Sequence, residues 1–118
     1  MLNMVLDIRI RIGISFLSMG FEVRFKDELL EKLQEANAKG DKAYPPGVGR
    51  SFRKRIQWIR AARDERDFSV PGIRFERLKG KREHQYSMRL NDQWRLILEM
   101  EGDHPKKIVC VVAIEDYH

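Results

Sequence analysis

A single cysteine among 118 residues, Cys110, excludes an intramolecular disulfide and a cysteine-rich zinc site. It lies inside the apolar run "IVCVVAI", where a small buried hydrophobe is its expected role. No stretch approaches the length of a membrane-spanning helix. Asp7, Arg9 and Arg11 interrupt the N-terminal apolar residues, which argues against a secretory signal. The default compartment is therefore cytoplasmic, with no membrane partner expected. Acid is in deficit, with 18 Asp and Glu against 23 Lys and Arg, giving a net charge of +5. For a basic domain of this size a polyanion is a natural class of partner, although charge alone names none. The length suits one domain with a real core and leaves no room for two.

What the chain does have is clear periodicity. Residues 5–14, "VLDIRIRIGI", alternate with period two, as a strand does. "SFLSMG" follows, then a second strand-like stretch, "FEVRF". Residues 1–18 are open to two readings, an extra edge strand or a leader upstream of a start at Met19. From Asp27, a good N-cap, a helix is expected: Leu29, Leu30, Leu33 and Ala36 form an apolar stripe and Gly40 is a credible stop. "YPPGVG" is a loop. A second, strongly basic helix is expected over about residues 49–66, with Val48, Phe52, Ile56 and Ile59 facing inward. Trp58 lies about a hundred degrees off that stripe, as a flanking core residue or a partner anchor. The rest reads as strands: "RFERL", "QYSMRL", "QWRLILEM" and "KKIVCVVAI". The expected fold is α+β, with an N-terminal strand and a two-helix hairpin packed on a curved antiparallel sheet.

The stretch "YSMRLNDQWRLIL" allows a sharper inference. Tyr86, Met88 and Leu90 alternate on one arm; Trp94, Leu96 and Leu98 alternate on the other. Both sets must face one core, because a one-residue slip turns an arm inside out. A two-residue turn gives the wrong phase. A three-residue loop, Asn91-Asp92-Gln93, pairs Leu90 with Trp94 and sets Arg89 opposite Arg95. Facing like charges are destabilising, so something must offset them. Glu76 is one candidate, and a bound phosphate, matched by guanidinium forks, is another. Upstream, "LKGKREHQ" places Lys79, Lys81, Arg82 and His84 around Gly80 as a basic loop beside the pair.

Three pieces in order, "FERLKG" (Phe75 to Gly80), "YSMRLNDQWRL" (Tyr86 to Leu96) and the terminal "DYH", resemble the HigB branch of the RelE/ParE superfamily of bacterial toxins. The resemblance covers about residues 20–118 and has no counterpart for Met1–Ser18, which favours the leader reading. It implies a RelE-like fold and a metal-independent endoribonuclease that cuts messenger RNA in the ribosomal A site without a cofactor. It also implies a helix-turn-helix antitoxin of the HigA kind as partner.

Under that resemblance Arg89 and Arg95 stabilise charge on the phosphate, and Lys79 assists them or helps activate the 2′-OH. His118 is the natural proton carrier, its role as base or acid left open. Asp116 orients the imidazole or a substrate hydroxyl, and Tyr117 stacks on a base or donates its hydroxyl. Lys81, Arg82 and His84 are RNA-contact candidates. Glu76 stands where some members carry histidine, and serves as a base or as the counter-ion of the arginine pair. His104 is expected in a loop. Two rival readings stay open: a ParE-like inhibitor of DNA gyrase, and a catalytically silent domain that binds antitoxin or RNA.

Overall fold

The computed structural model describes residues 20–35, 39–102 and 107–117. The strand expected over residues 5–14, the leader, Ala36, His104 and His118 lie outside the described residues.

Strand β1 (Glu22–Phe25) leads into helix α1 (Glu28–Leu33). Asp27 caps α1 as its sequence suggests, its Oδ1 accepting from the Leu30 N–H at 2.8 Å. The helix is shorter than expected, ending at Leu33. The backbone N–H groups of Gln34 and Glu35 close its last turn onto Glu31 O and Lys32 O, while Arg53 Nη1 donates to Leu33 O at 3.1 Å and to Asp41 Oδ1 at 2.9 Å. Gly40 falls in a separate 3₁₀ turn, Lys39–Ala43. Helix α2 (Val48–Ala61) buries the anticipated stripe, with Val48, Phe52, Ile56 and Ile59 almost fully enclosed. It stops at Ala61, short of the expected end near residue 66, where Ala62 turns extended and Asp64 opens a second 3₁₀ turn, Glu65–Phe68. Trp58 is not a core residue. It is 43% exposed on the flank of α2, and its indole donates to Asp67 O at 3.0 Å.

The remaining strands are β2 (Glu76–Arg77), β3 (Gln85–Arg89), β4 (Trp94–Glu101) and β5 (Ile108–Asp116). The sheet order is β1-β5-β4-β3-β2. The last four strands pair antiparallel, as short turns require, while β1 adds parallel to β5 at the edge. A register shift opposite Ile97 and Leu98 inserts an extra residue in β5, which bends that strand and raises the local twist.

One face of the sheet carries Met88, Leu96, Leu98, Val109, Val111 and Ile114 onto the helices. Fully burying a side chain of this kind contributes roughly 1.5–3 kcal/mol, so this face and α2 account for much of the fold's stability. Cys110 falls on the other face, opposite Glu99, and is half-buried instead of enclosed. That second face is where the polar residues gather.

Candidate functional site

The β3–β4 hairpin takes the phase that its alternation demands. Met88 pairs with Leu96, and the Leu90 N–H donates to Trp94 O at 2.9 Å across the three-residue loop. Arg89 stands directly opposite Arg95. Asn91 builds the turn locally: its Oδ1 accepts from the backbone N–H groups of Gln93 and Trp94, both at 2.8 Å. This side-chain mimicry of a turn is why Asn suits the position.

The two arginines separate their charges by different means. Arg89 turns to the loop and forms an ion pair with Asp92. Glu76, one candidate counter-ion, is exposed on β2 across from Ser87 and forms no ion pair with Arg89. Asp92 has the advantage of position, three residues from Arg89 in the same tight loop. Arg95 turns inward and is only 8% exposed. Its Nη1 donates to Asn91 O at 2.7 Å and to Trp94 O at 3.2 Å. Its guanidinium carbon lies 4.1 Å from the centre of the Tyr117 ring, a close cation–π contact. Among the described residues Arg95 has no carboxylate partner.

Arg95 lines a cleft of about 420 Å³ together with Leu78, Arg82, Ser87, Ile97, Glu115, Asp116 and Tyr117. The cleft draws on the β2–β3 connection, the centre of the sheet and the end of β5. Tyr117 is fixed there by its backbone N–H, which donates to Gln93 O at 2.6 Å. Asp116 sits at the strand end in register with Trp94, and its carboxylate accepts from Gln93 Nε2 at 2.9 Å. Arg82 reaches in from the 3₁₀ turn Gly80–Arg82, its Nε donating to Gln85 Oε1 at 2.9 Å.

Of the residues singled out from the sequence, the cleft thus gathers Arg82, Arg95, Asp116 and Tyr117. Arg89 adjoins it through the ladder. Lys79 and Lys81 are exposed on the loop beside it and do not line it. His84 is exposed outside the cleft, its Nε2 3.6 Å from Glu99 Oε2.

Sequence reasoning passed over Ser87, Glu115 and Arg55. Ser87 and Glu115 share the open face by strand parity, which the alternation of β3 and β5 could have shown. Arg55, one of the charges that make α2 basic, donates from Nε to Arg89 O at 2.9 Å. Burial, and then the charge of Arg89, push its pKa down. The second effect reflects the closeness of two positive charges at this corner of the sheet. Among the described residues no group of His, Cys, Asp and Glu is placed to hold a metal ion.

The family model for the RelE-like toxin of the type II toxin-antitoxin system HigB matches residues 23–118, which takes in the described strands and helices, but for the first residue of β1, and the whole cleft. The chain belongs to that family. This HigB-like toxin is 33% identical over 78 residues to Toxin HigB-1 of Vibrio cholerae serotype O1 (strain ATCC 39315 / El Tor Inaba N16961), spanning 65% of this chain and 81% of that protein. Its fold is similar to that of the YoeB/ParE toxin from Agrobacterium tumefaciens, with a TM-score of 0.53 at 11% identity, over 83% of this chain and 100% of the other. The toxin-antitoxin complex RelBE2 from Mycobacterium tuberculosis matches 83% of this chain and 92% of its own, with a TM-score of 0.47 at 17% identity. Among the described residues no helix is long and apolar enough to cross a membrane.

Proposed function

We propose that this HigB-like toxin is a ribosome-dependent endoribonuclease that cleaves messenger RNA in the A site, and that the cleft is its active site. The observation that carries the reading is Arg95. A guanidinium that is almost wholly buried, without a carboxylate partner among the described residues, and lining an open cleft is poised for an anion.

In the proposed reaction the ribose 2′-oxygen attacks the adjacent phosphorus. Its proton passes to a base, the P–O5′ bond breaks, and the departing 5′-oxygen takes a proton from an acid. Arg95 and Arg89 offset the charge that accumulates on the non-bridging oxygens. Tyr117 holds the Arg95 guanidinium against its ring, and Asp116 orients a substrate hydroxyl or the imidazole of His118. His118 carries a proton, since its ordinary pKa lies near neutrality. Lys79, Lys81 and His84 contact the flanking RNA backbone, and Glu76 is a candidate base at the cleft's outer side. No metal or cofactor has a part in this scheme. Much of the rate comes from holding the nucleotide in line, which the ribosome assists. The neutralising partner is a helix-turn-helix antitoxin of the HigA kind, and the toxin acts in the cytoplasm.

Gyrase inhibition calls for no buried arginine beside a Tyr-bearing strand end, so the site favours the nuclease. The test is a translation extract supplied with the toxin, with messenger 5′ ends mapped by primer extension. Cuts that need ribosomes and vanish in Arg95→Ala support the reading. Intact messages together with poisoned gyrase would sink it.

A further inference from the structure

Glu115 stands directly across the ladder from Arg95, yet does not pair with it. Its carboxylate grips Arg82 instead, with Nη1 donating to Oε1 at 3.0 Å and Nη2 donating to Oε2 at 2.9 Å. This two-point fork is the geometry in which a guanidinium also binds a phosphate. The pair spans the cleft from the basic loop to β5. Both side chains remain partly open to solvent, 45% for Arg82 and 40% for Glu115, so an entering anion can reach either. Arg82 is thus already occupied by an internal anion at the place where an RNA phosphate would seek it. Gln85, which accepts from Arg82 Nε at 2.9 Å, keeps the guanidinium in position when the carboxylate lets go.

We propose that Glu115 is a specificity-determining residue, an internal competitor for phosphate that lowers the toxin's affinity for free RNA. The proposal rests on the reading of the cleft as an RNA site. Displacement requires a phosphate presented at high effective concentration, as on a messenger held by a ribosome, whereas loose RNA in solution faces both the competition and the negative charge. Arg95, with no carboxylate partner among the described residues, supplies the fixed contact, and Arg82 is the exchangeable one. Neutralising Glu115 then frees one cation for RNA.

The test measures binding of a fluorescein-labelled 2′-O-methyl RNA dodecamer, which resists cleavage through the 2′-oxygen, by anisotropy over a range of salt concentrations. The full chain is compared with Glu115→Gln, Arg82→Gln, the double variant and Arg95→Ala, each checked for folding by circular dichroism. Glu115→Gln is expected to bind severalfold tighter. Its plot of log K against log salt should steepen by about 0.7, the signature of one added phosphate contact on a single strand. In the Arg82→Gln background the same substitution should bring no such gain. Weaker binding in Glu115→Gln, an unchanged slope, or an equal gain in both backgrounds overturns the proposal. If Glu115→Gln does not fold, Glu115→Ala is judged by the same criteria. Arg95→Ala separates the two levels of the argument. If it weakens binding while Glu115→Gln changes nothing, the cleft takes RNA and only the competitor role fails. If neither substitution has an effect, the RNA reading of the cleft fails with it.

Discussion

Arg89 and Arg95 face each other across the β3–β4 ladder, and each is drawn away from the other by a different partner. Arg89 goes to Asp92 in the loop, and Arg95 goes beneath Tyr117 and onto two carbonyls of the turn. Replacing Arg95 should therefore affect activity far more than folding. Arg95→Ala is expected to lower messenger cleavage by about 10²–10³-fold, the usual effect of losing one preorganised donor to a developing oxyanion. Arg95→Lys should recover only a small part of it, because an ammonium cannot reproduce the fork. Cleavage assays on ribosomes decide this, with circular dichroism to show that both variants fold.

Tyr117 contacts Arg95 through its ring, which separates two roles for the residue. Tyr117→Phe keeps the ring and should retain cleavage within about threefold, whereas Tyr117→Ala should lose about tenfold or more, since a cation–π contact is worth roughly 1–2 kcal/mol when partly desolvated. Equal loss in both variants would transfer the role to the hydroxyl.

Gly49 offers a stability test in which two effects oppose each other. Glycine inside a helix usually costs roughly 0.5–1 kcal/mol relative to alanine, so helix propensity alone favours Gly49→Ala. A Cβ there, however, runs into the Asp41 carboxylate, which is engaged with Arg53 at the end of α1. Overpacking of this sort costs typically about 1–3 kcal/mol. The net expectation is destabilisation, read as a lower midpoint in urea denaturation; a midpoint unchanged or raised would show that Asp41 moves aside freely.

The thiol of Cys110 is pushed above its ordinary pKa by burial first, and then by the charges of Glu101 and Glu99. A raised pKa means less thiolate at a given pH, and thiolate is the reactive form. Labelling by iodoacetamide at pH 8 should therefore be slower than for a free thiol, and should accelerate as the pH rises past 9. Rapid labelling at pH 7 would contradict the assignment.

Trp58 and Phe52 share helix α2 but differ in surroundings. Phe52 is fully enclosed, and Phe52→Ala should cost about 3–5 kcal/mol; Trp58→Ala, at an exposed flank, should cost much less, in thermal or urea melts.

The hairpin was legible in the sequence because strand parity leaves one phase in which Tyr86, Met88, Leu90, Trp94, Leu96 and Leu98 all face the core. The α2 stripe was legible for the same reason at helical period. The end of α1 was not, because the contacts around it are distant in sequence: Arg53 reaches back from another helix to Leu33 O and Asp41. Trp58 was ambiguous, since a residue at the margin of a stripe goes where neighbouring loops leave room. Of the site, Arg95 and Tyr117 followed from phase and resemblance. The Arg82–Glu115 pair joins residues 33 positions apart, and no local pattern announces it. Glu76 was one candidate counter-ion, but the ion pair of Arg89 is made with Asp92, a loop carboxylate three residues away.

The central claim is that the cleft around Arg95 supports attack of a ribose 2′-oxygen on the next phosphate of a ribosome-held messenger. The most direct measurement programs ribosomes with two messengers that differ only by a 2′-deoxy nucleotide at the mapped cut, and follows cleavage by the toxin. The account predicts that the ribonucleotide messenger is cut to a fragment ending in a 2′,3′-cyclic phosphate while the deoxy messenger stays intact. Cleavage of both at similar rates would contradict it.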